Sequence, residues 1–503
     1  MRYTDLVSSS ATTILLSAIL TGCMVGPDFH PPAAPPLTHY TELPTPKKTV
    51  RISKAGEAGK SQHFLAGKDI PGEWWYLFHS KGINQLIETG LAHSPNLMAA
   101  KATLIQAKEN LNAQIGLNYF PQITGAALAE RQRFNSAEFG AQPTATADIF
   151  NIYNAGVNVS YTVDIFGALR RQVEGLYAQV DYQQYELSAA YLTLTSNIVT
   201  TSIAVASYQA QIAATKDIIR SIQRQVDILH KQQKLGGVSG ADVASQESQL
   251  AATQATLPPL EQSLVASHHM LATLIGVLPA EFVMPDIDLA KLKLPVNLPV
   301  SLPSQLVRQR PDVQAAEALV DSANAQIGVA TANLLPQFPI TGTFAYEALT
   351  PGSLFLPTSL LWSVVGNVTQ PIFNGGALTA QRRAAIAAYE VTYAQYRQTV
   401  LQAFQNVADS LRALQHDALT LKAQRENELA SRQYLNITKQ QYSLGGVTFT
   451  ALLLAEKQYQ QAIIGRVQAQ SARYSDTAAL FQALGGGWWN NRNAIAAIKP
   501  VVA

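Results

Sequence analysis

The tetrapeptide Leu-Gly-Gly-Val occurs twice, at 235–238 and 444–447, each time between two long apolar-periodic segments. The two copies lie 209 residues apart. A period of that size marks a duplicated half-protein, so it constrains the whole architecture. The duplication reaches well past the turns. SPNLMAAKATLIQAKENLNAQIGLNYFPQITG (94–125) matches RPDVQAAEALVDSANAQIGVATANLLPQFPITG (310–342), with Pro95 against Pro311 and Pro121 against Pro336. DIFGALRRQ (164–172) matches PIFNGGALTAQRR (371–383), and LATLIG (271–276) matches LFQALG (480–485). Each half reads helix, strand, strand, long helix, Gly-Gly turn, long helix.

The strands are read from period-two alternation. In NAGVNVSYTVDIF, Ala155, Val157, Val159, Tyr161, Val163 and Ile165 alternate with Asn154, Gly156, Asn158, Ser160, Thr162 and Asp164. In QFPITGTFAYE, Phe338, Ile340, Phe344 and Tyr346 alternate with Gln337, Thr341, Thr343 and Glu347. In LWSVVGNVTQ, Trp362, Val364 and Val368 alternate with Ser363, Asn367 and Thr369, and PQITGAALAER (121–131) fits more weakly. Such segments suit either a membrane β-barrel, with lipid outside and water inside, or a half-buried soluble sheet. Two hairpins separated by very long helices favour the barrel.

The helices are read from heptads. Tyr191, Ile198, Val205, Ile212, Ile219 and Val226 recur every seven residues, beside Leu194, Thr201, Tyr208, Thr215, Ile222 and Leu229. The second half supplies Val400, Phe404, Val407, Leu411, Leu414, Ala418 and Leu421. This is the seam of a coiled coil. No proline interrupts 167–235, and a continuous helix of that length would run about 100 Å.

Charged residues are only 14% of the 503, while hydrophobic residues are 47%. Soluble domains carry roughly 25% charge, so part of the surface faces something other than bulk water. A net charge of +2 gives no basis for nucleic-acid binding. The one cysteine, Cys23, excludes an intrachain disulfide. It follows LVSSSATTILLSAILTG (6–22), a short apolar stretch behind Arg2 that suits a signal-peptide core. Leu20-Thr21-Gly22-Cys23 looks like a bacterial lipoprotein box, with Cys23 as the lipid acceptor; the alternative is a cleaved signal with an incidental cysteine. Several acyl chains anchor far better than one. Met24, where an aspartate tends to retain such lipoproteins at the inner membrane, implies the outer one. The following VGPDFHPPAAPPLTHYTELPTP reads as an extended, polyproline-like tether. No later stretch has 18 uninterrupted apolar residues, so no transmembrane helix is expected. The expected division is 1–22 signal peptide, 23–72 lipidated tether, 73–305 first repeat, 306–487 second repeat and 488–503 tail.

Four strands cannot close a barrel, and open edges are not tolerated in lipid. The smallest membrane barrels have about eight strands, so two, three or four copies would have to share one. Each Leu-Gly-Gly-Val turn then joins a helix leaving the barrel to one returning, at the tip far from the membrane. Paired glycines permit the reversal. The flanking Leu and Val make the tip either a docking surface or a plain hairpin turn with a packed staple.

Taken in order, CMVGPDFHPP (23–32), EWWYLFHSKGINQLIETGLAHSPNLMAA (73–100), QRPDVQAAEALVDSANAQIGVATANLLPQFPITG (309–342), QPIFNGG (370–376) and both turns resemble the TolC-like outer-membrane factors, specifically the NodT-type lipoproteins of RND efflux systems. The resemblance implies an α+β membrane protein: a homotrimer in which four strands per chain build a shared 12-stranded outer-membrane β-barrel, with coiled-coil helices forming a periplasmic tunnel. It implies docking on a periplasmic adaptor, through Leu235, Gly236, Gly237 and Val238 and through Leu444, Gly445, Gly446 and Val447. The adaptor would link the duct to an inner-membrane RND-type pump. Residues beyond the turns would line the closed periplasmic aperture, at Thr450 and Leu454, where relatives carry a leucine and an aspartate. The aspartate is missing there, while Asp242 follows the first turn. An apolar or Thr-lined closure is therefore expected.

No Walker loop, HExxH or GxSxG is present. His268-His269 and Asp286/Asp288 are local pairs without further ligands. No enzyme activity, metal or cofactor beyond the lipid on Cys23 is expected. The expected function is the exit duct of a tripartite efflux pump for small toxic compounds. The alternatives are the duct of a type I protein secretion system and a purely structural envelope tether.

Overall fold

The structure is a computed structural model that describes residues 24–42, 44, 46–133 and 149–490. The expected signal peptide, Cys23 and the tail from 491 on lie outside the described residues. The strands in chain order are β1 (His63–Ala66), β2 (Gln122–Arg133), β3 (Ile149–Val163), β4 (Asn297–Val300), β5 (Phe338–Ala348) and β6 (Leu360–Gly366). The α-helices are α1 (Lys81–His93), α2 (Pro95–Tyr119), α3 (Ala168–Lys234), α4 (Gly240–Gln254), α5 (Leu257–Ile275), α6 (Pro303–Gln309), α7 (Pro311–Ala332), α8 (Ala377–Ser443) and α9 (Phe449–Ala483). Two compact units result, and they do not coincide with the two repeats. One holds residues up to Pro32, Leu104–Tyr182 and Ala316–Tyr396; the other holds Ala33–Thr103, Gln183–Ala315 and the chain from Arg397. Each draws matching pieces from both halves, so the duplication is distributed through both.

The first unit carries an antiparallel four-stranded sheet in the order β2-β3-β5-β6. Val157 lies opposite Gly125 on one side and Phe344 on the other, and Phe344 opposite Trp362. The alternating apolar residues therefore share one face, as a period of two requires. That face is bare: Phe344, Trp362 and Val364 are all exposed, Trp362 to 72%. Water does not favour so much continuous apolar surface.

The same unit seats the N-terminal segment. Arg171, its side chain buried, donates to the Val25 and Gly26 carbonyls, to Asp28 Oδ1 at 2.7 Å and to Glu174. Asn324 Nδ2 donates to the Pro27 carbonyl at 2.8 Å. Gly26 adopts φ +95° and lies so close to Gly328 that a Cβ would stand 2.5 Å from its Cα. Only glycine fits there.

The two 67-residue helices α3 and α8 match the heptad reading, and the seam residues Ile198, Val205, Val407 and Leu414 are fully buried. One 18-residue stretch of α3 is apolar enough to cross a membrane by length and composition, which corrects the expectation of no such helix; 56% of it is buried inside the protein. A second correction concerns the returning helices. In the second half α9 runs 35 residues unbroken, but the first half breaks between α4 and α5 at Ala255–Thr256. Pro258 and Pro259 follow at once; they lack N–H groups and are tolerated only in a first helical turn.

The second unit also orders part of the span expected as tether. β1 pairs in parallel with β4, His63 opposite Asn297. Arg473, with no exposed surface, binds the Ala58 and Lys60 carbonyls, Thr49 Oγ1 and Gln62 Oε1. Burial lowers its pKa to about 10, so it stays charged at neutral pH. Trp74 stacks on Phe481 at 5.2 Å, and the Tyr474 hydroxyl donates to the Leu292 carbonyl. Removing the cation leaves several buried acceptors unpaired. Arg473→Met should therefore destabilise this unit by about 3 kcal/mol and open Lys60 to trypsin, measured by calorimetry and limited proteolysis.

Candidate functional site

Each Leu-Gly-Gly-Val turn ends a 67-residue helix and caps the next. Gly237 N–H donates to the Gln232 carbonyl and Gly236 N–H to that of Gln233. Gly446 and Gly445 do the same to Gln441 and Tyr442. These are paired Schellman closures, with Gly236 at φ +76° and Gly445 at φ +75°, a conformation that β-carbons resist. The following residue starts the next helix. Ser239 and Asp242 form a reciprocal capping box, and the Thr448 hydroxyl accepts from Ala451 N–H.

The four apolar residues of the turns divide in two. Leu235 and Leu444 are each 86% exposed. Val238 packs against a cluster of Leu229, Val243, Leu435, Phe449, Leu452 and Ala455, and Val447 is half-buried. That cluster takes residues from both hairpins, so the two tips share one apolar core and stand side by side. Val238 is therefore a staple, whereas Leu235 and Leu444 are open to solvent.

Thr450 and Leu454 lie four residues apart on the exposed side of α9. Asp242 lies at the head of α4, its carboxylate accepting from Ser239 N–H and Oγ. It is committed to its own helix, and the structure does not bring it to Thr450 or Leu454.

Behind the tips runs a polar ladder that the heptad reading missed. Glu456 is 5% exposed; its carboxylate accepts from Gln225, and Lys439 stands 3.7 Å away. Gln246 donates to Gln225 at 2.7 Å. Glu428, also buried, pairs with Arg425 and with Arg466, the latter at 2.9 Å. Burial raises the Glu456 pKa against the pull of Gln225 and Lys439. The sequence signal was a charge in the apolar stripe Phe449, Leu452, Glu456, Tyr459, a device that fixes helix register.

Asp286 and Asp288 face Lys291, and His268 lies against the ring of Phe282. Among the described residues no cluster of three or more His, Cys, Asp or Glu could hold a metal.

Asp417 carries the largest upward shift. Burial, and then the neighbouring carboxyl of Asp476, raise its pKa to about 8, against the pull of Arg473. The fold therefore favours the protonated acid. The stabilisation is complete below the unfolded value of about 4 and is lost as pH rises through the folded value. Asp417→Asn should flatten the fall in melting temperature between roughly pH 5 and 9, read by circular dichroism. Removing the first capping box by Ser239→Ala should cost about 1 kcal/mol in the same measurement at fixed pH.

Residues 86–277 and 302–486, about three quarters of the chain, match the outer membrane efflux protein family. The chain is 28% identical over 417 residues to the pyoverdine export outer membrane protein OpmQ of Pseudomonas putida, covering 82% of this chain and 88% of that one. It is 26% identical over 479 residues to the toluene efflux pump outer membrane protein TtgC of Pseudomonas putida, covering 94% of each. Nodulation protein T of Rhizobium leguminosarum bv. viciae is 28% identical over 482 residues, with 94% of this chain and 92% of that one covered. Among solved structures, the outer-membrane channel OprN superposes with a TM-score of 0.81 at 26% identity, over 93% of this chain and all of that one. The Campylobacter jejuni CmeC outer membrane channel shares the fold, with a TM-score of 0.82 at 20% identity, over 94% and 97%.

Proposed function

The chain belongs to the outer membrane efflux protein family, and from that premise we propose that it is the passive exit duct of a tripartite pump for small toxic compounds. It resides in the outer membrane of a Gram-negative bacterium. Three copies share one twelve-stranded barrel, and their helices form a periplasmic tunnel. The observation that carries the reading is the four-stranded sheet, apolar on one exposed face and open at both edges, joined to two 67-residue helices. A lipid on Cys23 would anchor the chain beside its own barrel.

Small organic cargo is favoured over secreted protein because the relatives named above export toluene and pyoverdine. Those two cargoes differ widely, as expected if selectivity lies in the pump. The exposed Leu235 and Leu444 would meet a periplasmic adaptor that leads to an inner-membrane pump of the RND type. Thr450 and Leu454 would narrow the resting aperture. Conduction through such a duct needs no catalytic group.

Single-channel recording of the detergent-extracted protein in a planar bilayer, with its mass by light scattering, tests the reading. A trimer with small, flickering conductance is expected; a monomer without conductance overturns it. Leu454→Ser should raise the conductance, and no change from the unaltered protein counts against an apolar closure. Leu235→Asp combined with Leu444→Asp should abolish resistance to toxic compounds in a complemented deletion strain while leaving the trimer intact.

A further inference from the structure

The internal repeat pairs the same way in both halves of the chain. The inference from it rests on the duct reading and adds to it a residue-by-residue register. Ile123-Thr124-Gly125 of β2 repeats as Ile340-Thr341-Gly342 of β5, and Ile165-Phe166 after β3 repeats as Ile372-Phe373 after β6. The structure satisfies this correspondence within the chain. Ile123 lies opposite Val159, and their counterparts Ile340 and Gly366 lie opposite each other. The β2–β3 junction is thus repeated by the β5–β6 junction without slippage.

The other junction inside the chain, β3 to β5, has no second example, because β6 and β2 are the edges of the sheet. We infer that β6 of one copy joins β2 of the next in the register of β3 on β5. Val159 opposite Gly342, Asn158 opposite Thr343 and Gly156 opposite Ala345 then become Gly366 opposite Gly125, Val365 opposite Ala126 and Ser363 opposite Leu128. Val364 and Trp362 fall opposite Ala127 and Ala129. On the apolar face the small Ala127 and Ala129 of β2 meet the bulky Val364 and Trp362 of β6, and like faces meet like.

Two further observations support it. Ile165 and Phe166 are partly covered, Phe166 lying 6.3 Å from the ring of Phe338. Their repeats Ile372 and Phe373 are 96% and 90% exposed. The uncovered pair stands at the end of β6, the edge that the next copy would cover. The second observation is geometric. Directly across the sheet from Ile123, through Val159, lies Gly342, two residues from the repeat-equivalent Ile340. Two residues of stagger over two strand spacings tilt the strands by about 35°. Aligning the halves instead on Gln122 with Gln337 makes the stagger four residues and the tilt about 55°, outside the range of roughly 35–45° for membrane barrels. Phe338-Pro339 and Asn374-Gly375 are insertions of the second half that lie before Ile340 and after Phe373, so neither interrupts the stretch between them.

Disulfide trapping in isolated outer membranes tests the register. Ala126→Cys with Val365→Cys, and Leu128→Cys with Ser363→Cys, place thiols directly opposite on the polar, water-facing side. Exchanging partners gives Ala126→Cys with Ser363→Cys and Leu128→Cys with Val365→Cys, each slipped by two residues. Directly opposed Cα atoms lie within disulfide reach, whereas slipped ones do not. After copper-phenanthroline oxidation the matched pairs should form at least roughly tenfold more covalent dimer and trimer than the slipped pairs. The unaltered chain, with Cys23 alone, sets the background. All four substitutions occur in both sets, so misfolding of any one cannot imitate the pattern. Stronger linkage of the slipped pairs, or no linkage in a particle that is trimeric by mass, overturns the register and leaves the duct reading intact. A monomeric particle overturns both.

Discussion

The backbone hydrogen bonds of one sheet govern the rest of this protein. Inside a bilayer an unpaired N–H or C=O has no water to turn to, so a sheet must close on itself. The sheet β2-β3-β5-β6 has two open edges, and its apolar residues face outward without cover. One chain cannot resolve that, whereas copies of it can. Duplication suits this requirement, because a repeated hairpin already solves within the chain the pairing that must recur between chains.

The helical tips show a different balance. Capping and Schellman hydrogen bonds close each turn, so the glycines serve geometry. Val238 secures the turn from inside while Leu235 and Leu444 stay free. Exposed leucine on a turn closed by hydrogen bonds loses less conformational entropy when a partner covers it. The ladder of Gln225, Glu456 and Lys439 behind the tips fixes how the helices sit against one another, because a buried charge tolerates few alternative registers.

Two buried arginines hold the N-terminal stretch of the chain, one in each unit. Arg171 holds residues 25–28 and Arg473 holds 49–62. Both bind backbone carbonyls as well as side chains. Five donors in a fixed fork let one guanidinium organise an irregular segment that has few hydrogen bonds of its own. An extended, proline-rich chain is thereby ordered without becoming helix or sheet.

The sequence by itself determined the duplication, the four strands, the two long helices and the turns between them, because these follow from local periods of two and seven and from glycine's freedom at positive φ. It also carried the resemblance to outer-membrane factors. Tertiary structure alone decided which stretches of the two repeats share a unit and that residues 49–66 are held in place. It also decided that Glu456 belongs to a buried ladder. These depend on partners hundreds of residues away: Thr49 and Arg473 are 424 positions apart, and Gln225 and Glu456 231. No local pattern encodes such a pair. A buried charge finds its acceptors only when the chain has folded and water has been excluded around both.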